Sequence, residues 1–178
     1  MIVFLVIALI TAVLNTLLIA VDFLGLAIAY GLAGLLCGLV LRTRIEGGVG
    51  RVLLVCFYTL GFAAGGVWTG LTMVAQASLA DVAGMNVLAW GVVGFAASTP
   101  YLGTRLTPPL IALACFGAAG GLTVVLVDVL IEFGDLFINP MLVCLAAGVL
   151  DQICERIGLE SKESGFDRLR IRLEFRLR

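Results

Sequence analysis

Asp128 and Glu132 stand four residues apart at the end of an apolar run, a spacing that puts both carboxylates on one helix face. Asn139 and Pro140 open the next run, where the proline cannot donate back along a helix. Asn15 and Trp68 lie deeper within other apolar runs. Charged and amide groups are costly in hydrocarbon and mark ion or solute paths. Asp128, Glu132, Asn139, Asn15 and Trp68 therefore form the candidate ligand-binding set. Their chemistry is recognition by hydrogen bonds, by the negative charge of the carboxylates and by an aromatic face. With Asp22, Asp81 and Asn86 they give one mouth an acidic rim that favours a cation or cationic solute.

Catalysis finds no support in the residue set. The chain has no histidine, no GxSxG elbow and no lysine-bearing phosphate loop, and Asp128 and Asp151 fall at opposite ends of the apolar runs. No cofactor or metal is expected. The five cysteines, Cys37, Cys56, Cys115, Cys144 and Cys154, form no CxxC pair and read as small packing residues.

The elements that must position these groups are set by composition. Of 178 residues, 62% are hydrophobic and 13% charged, and the mean hydropathy is +1.18. A soluble domain carries about a quarter charged residues. Six apolar runs span 2–21, 23–41, 52–74, 87–103, 109–131 and 136–153. Each approaches the roughly 20 residues a helix needs to cross a hydrocarbon core about 30 Å thick. Lipid cannot hydrogen-bond a bare backbone, so the runs must be helical. The first has no basic residues before it and no small-x-small cleavage site, and reads as a retained span.

The connections are sorted by charge. Asp22, Asp81 and the turn Glu132-Phe133-Gly134-Asp135 are acidic, whereas Arg42, Arg44, Arg51, Arg105 and the tail from Arg156 are basic. The positive-inside tendency places the basic connections and both termini in the cytoplasm, with the chain in the cell membrane. The fold class is an all-α integral membrane protein, a six-helix transmembrane bundle over 1–155 with a basic tail over 156–178. Asp151 and Glu155 read as an inner salt-bridge cluster near Arg156.

Repetition runs through the chain. Tyr30-Gly31-Leu32-Ala33-Gly34 matches Trp90-Gly91-Val92-Val93-Gly94, and Gly61-Phe62-Ala63-Ala64-Gly65-Gly66 matches Gly117-Ala118-Ala119-Gly120-Gly121 after Cys115-Phe116. These pairs suggest three helical hairpins. Small-residue stripes (Ala27, Gly31 and Gly34; Gly61, Ala64 and Gly65; Gly117, Gly120 and Gly121) let helices approach closely, within the chain or against a partner or second copy. The tail alternates mainly arginine, with Glu174, against Leu169, Ile171, Leu173, Phe175 and Leu177, a two-residue period that suits a strand lying on anionic headgroups or on a protein. It is too short to suggest nucleic-acid binding.

In size, span count and inside termini the chain resembles the membrane-embedded substrate-binding subunits of energy-coupling-factor vitamin transporters. That resemblance implies a solute-binding or transport role, carried by architecture and by no motif. Against it stands a structural or assembly subunit. A polar cavity open to the outside would indicate the first, a dry bundle the second.

Overall fold

The computed structural model describes residues 1–18, 22–45, 48–74, 78–101, 107–130 and 134–156, with the side chains of 22, 73, 74, 101, 107, 127–130 and 134–137 left out. Every regular element among them is helical: α1 (Ile2–Leu18), α2 (Asp22–Leu41), α3 (Gly48–Val74), α4 (Leu79–Ala97), α5 (Thr107–Leu130) and α6 (Gly134–Arg156), with 3-10 turns at Arg42–Arg44 and Thr99–Tyr101. Five of the six are long and apolar enough to cross a membrane, and α1 is an apolar helix of 17 residues. The outward faces carry Leu60, Leu88 and Val92 at 68%, 70% and 64% exposure. Water would not tolerate so continuous an apolar surface, so these are the faces of a multi-pass membrane protein.

Two helices begin four or more residues earlier than hydropathy indicates. α3 starts at Gly48, four residues before Val52, and α4 at Leu79, eight before Val87. Ser78 caps α4: its hydroxyl oxygen accepts from the Asp81 amide at 3.2 Å and its proton goes to the Asp81 carboxylate at 2.6 Å. Such a cap satisfies amides that a new helix leaves bare. The consequence is a correction: Asn86 is no loop residue on an acidic rim but lies fully buried on α4.

Each helix packs on its neighbours in sequence, α6 packs back on α1, and α2 touches α6. The closest approaches are α2 on α3 and α4 on α5, and they use equivalent residues. A Cβ at Gly34 would meet the Tyr58 carbonyl and Phe62; one at Gly94 would meet the Ala112 carbonyl and Phe116. At Gly148 it would meet Phe4 on α1. Phe4, Phe62 and Phe116 are each followed seven residues later by a buried threonine, Thr11, Thr69 and Thr123. Each threonine donates to the carbonyl four residues back, at 2.7, 2.9 and 2.8 Å. The glycine stripes are thus occupied inside the chain: Gly61 faces Val93, Gly65 faces Trp90, and Gly117 faces Val87 and Gly91.

At the end that holds the N-terminus, Arg44 joins α2 to α6. Its Nε and one terminal nitrogen donate to Asp151 at 3.1 and 3.3 Å, and the latter also reaches Glu155 at 3.3 Å. The expected cluster forms, but the arginine in it is Arg44; among the described residues Arg156 makes no ion pair. The tail beyond Arg156 lies outside the described residues.

Candidate functional site

The interior divides into an aromatic half and an amide half. Tyr58, Phe62 and Phe116 cluster with centroids 5.7–6.3 Å apart, Phe116 meeting the other two edge-on and Tyr58 tilted at 39° to Phe62. Phe62 meets Trp90 edge-on at 5.7 Å, and Trp90 lies against Tyr30 at 5.9 Å. All five rings are at most 2% exposed. Glycines make room for the two largest: Gly66 lies under the Tyr30 ring, and Gly65 and Gly120 flank Trp90. Such ring pairs add about 0.5–1.5 kcal/mol each beyond the area they bury.

Toward the other end, the one carrying the α1–α2, α3–α4 and α5–α6 connections, the interior becomes polar. The chain's three asparagines, Asn15, Asn86 and Asn139, are buried to 1%, 0% and 0% exposure. Asn139 sits five residues into α6; its Oδ1 accepts from the Tyr30 hydroxyl at 2.6 Å, and its Nδ2 donates to Thr123 Oγ1 at 3.0 Å. Asn86 sits seven residues into α4; its Nδ2 donates to Thr72 Oγ1 at 2.9 Å and to the Val82 carbonyl at 3.0 Å. Thr69 Oγ1 lies 3.2 Å from Asn86 Oδ1 and accepts from Trp90 Nε1 at 3.0 Å. With a rise of 1.5 Å per residue, the two asparagines lie roughly 7–11 Å below the helix ends.

Two amide centres, one on α4 and one on α6, therefore meet across the Tyr30–Trp90 contact. An uninterrupted path of polar contacts and rings runs Thr123, Asn139, Tyr30, Trp90, Thr69, Asn86. Neutral amides, hydroxyls and an indole N–H offer both donors and acceptors in a low-dielectric setting, where each hydrogen bond is strong and each unpaired group is costly. They can hold a polar solute, and the aromatic rings can face a cation. Among the described residues no group of three histidine, cysteine or acidic side chains is placed to hold a metal.

Of the sequence-derived candidates, Asn139 is at the centre of this cluster and Asn15 is buried on α1. Trp68 is not brought to it: that ring is 42% exposed on the outside of α3. The backbone of α5 includes Asp128, but its side chain, like Glu132, lies outside the described residues. The sequence-derived candidate set did not include Tyr30, Thr69, Thr72, Thr123 and Trp90. The recurring Phe-to-Thr interval of seven was the signal that could have found the two α3 and α5 threonines.

No protein-family model matches this chain, and neither curated proteins nor solved structures match it. The likeness to vitamin-transporter subunits thus stays one of size and span count.

Proposed function

We propose that this chain is a six-span transport protein or membrane-embedded solute-binding subunit, not an enzyme, whose site is the buried amide layer opening to the outside. The observation that carries the reading is the convergence of Asn86, Asn139, Thr69, Thr123, Tyr30 and Trp90 below one end of the helices. In this reading α1 is the sixth span, both termini are cytoplasmic in the cell membrane, and Asp128 and Glu132 attract a cationic solute to the mouth. The three hairpins are copies of one unit. Support for that comes from the equivalent contacts of Gly34, Gly94 and Gly148 with Phe62, Phe116 and Phe4. With the glycine faces occupied within the chain, the basic tail is the surface assigned to a protein partner or to anionic headgroups.

A second reading is favoured by one observation: both carboxamide groups of Asn86 and Asn139 already find partners within the protein. A dry, internally satisfied layer suits a structural or assembly subunit. Single cysteines at Asp128, Asn139, Asn15 and Trp68 in a cysteine-free background separate the two. An impermeant thiol reagent added outside is expected to label the Asp128→Cys and Asn139→Cys variants and to spare Trp68→Cys, with a cationic solute protecting Asn139→Cys. If neither Asn139→Cys nor Asn15→Cys reacts, the layer is dry and the structural reading replaces transport.

A further inference from the structure

We infer that the cleft between the end of α2 and the start of α3 binds the phosphate of one anionic phospholipid. The cleft has a volume of about 690 Å³, within the roughly 300–1,000 Å³ typical of small-molecule sites. Its lining changes along the helix axes: Arg42, Thr43, Gly48 and Arg51 lie at the ends of the two helices, Leu39, Val55 and Cys56 lie deeper, and Val52 lies between. Arg42 follows directly on the 19 uncharged residues of α2 after Asp22, so the basic end lies at headgroup depth and the apolar end beside the acyl chains.

Both arginines are exposed, and among the described residues neither pairs with a carboxylate. This distinguishes them from Arg44 close by, which is committed to Asp151 and Glu155. Arg51 Nε donates to the Ile45 carbonyl at 2.7 Å, which anchors the side chain and leaves its other guanidinium nitrogens for a ligand. The first amides of α3, beginning at the exposed Gly48 that also lines the cleft, add donors and the positive end of a helix dipole.

A free inorganic anion would use only the basic end. The exposed Val52 and the half-buried Leu39 and Val55 continue the cleft toward the hydrocarbon, and that wall selects a ligand with an acyl chain. In the orientation proposed above the cleft opens to the cytoplasmic leaflet, where basic pockets between helices meet anionic headgroups. The inference does not depend on the amide layer being a solute site.

The test is native mass spectrometry of the full chain with phosphatidylglycerol or phosphatidylcholine of equal chain length. Wild type is expected to retain one phosphatidylglycerol in preference to phosphatidylcholine. Arg42→Gln/Arg51→Gln is expected to weaken that binding about 25-fold, roughly fivefold for each arginine removed. Arg170→Gln/Arg172→Gln in the tail is expected to leave it unchanged. If the double variant elutes as an aggregate, Arg42→Gln alone decides, with an expected fivefold loss. Equal binding by wild type and the variants at Arg42 and Arg51 overturns the proposal, as does displacement of the lipid by millimolar inorganic phosphate.

Discussion

Replacing Gly94 by alanine puts the helix contacts to a quantitative test. The added Cβ would sit 2.7 Å from the Ala112 carbonyl oxygen, 2.7 Å from Phe116 Cδ2 and 2.8 Å from Phe116 Cβ. Ordinary contact begins near 3.5 Å, so α4 and α5 must separate by most of an ångström. A carbonyl held in its own helix cannot swing away, and overpacking of this kind costs about 1–3 kcal/mol. Against that, alanine gains about 1 kcal/mol of helix propensity over glycine. The expected net is a loss of up to about 2 kcal/mol. Gly34→Ala should cost at least as much, because the Tyr58 carbonyl on α3 comes closer to the added Cβ than the Ala112 carbonyl does at Gly94. Gly148→Ala should cost less: its nearest atoms, at 3.0–3.1 Å, are the Phe4 side chain and the flexible Met1 sulfur. Gly84, exposed on α4 with nothing within 4 Å of its would-be Cβ, should gain close to the full propensity term. Reversible unfolding in mixed micelles, with all four variants measured side by side, gives the ranking. A Gly94→Ala variant as stable as Gly84→Ala would mean that α4 and α5 do not meet as described.

Two further outcomes follow from the polar contacts. Thr69→Val removes the acceptor of Trp90 Nε1 and strands an indole N–H in a ring that is 0% exposed, an expected loss of about 1–3 kcal/mol; in a Trp68→Phe background the Trp90 emission should move to the blue, and an unmoved spectrum with unchanged stability would remove that hydrogen bond from the account. Asp151→Asn should destabilise more than Glu155→Gln, because the Asp151 side chain is 10% exposed and held at two oxygens whereas Glu155 is 54% exposed. The Glu155 contact is expected to contribute under about 1 kcal/mol and to vanish in high salt. The opposite order in an unfolding series would refute this ranking.

The existence of each helix could be read from hydropathy, because the charges are confined to the ends of the runs. Boundaries were harder. Ser78 and Asp81 look like loop residues to a hydropathy window, yet they are the cap and first turn that start α4, and this carries Asn86 from the mouth into the interior. Facing was harder still. A helix apolar on all sides has little amphipathic signal to say which side is buried, so Trp68 and Trp90 look alike in sequence although one faces outward and the other is fully enclosed. Gly65 and Gly120 decide it for Trp90 by leaving space that only tertiary packing reveals. Asn139 was recognisable beside Pro140. Its partners on α2 and α5, 109 and 16 residues away, were not, since nothing local links them.

The contact of α6 with α1 ties together the first and last helices described. Phe4, Ile7, Ala8, Thr11, Ala12 and Asn15 share the buried face of α1, and Gly148, which receives Phe4, is synthesised more than 140 residues later. At translation rates of about 5–20 residues per second, that face waits roughly 7–30 s in the membrane for its cover. During the wait Thr11 and Asn15 are open to lipid or to whatever protein attends insertion, and Tyr30 has no Asn139 to receive its proton. Assembly can therefore finish only when α6 arrives, and a ribosome that stalls before it leaves α1 and α5 each with an uncovered polar side.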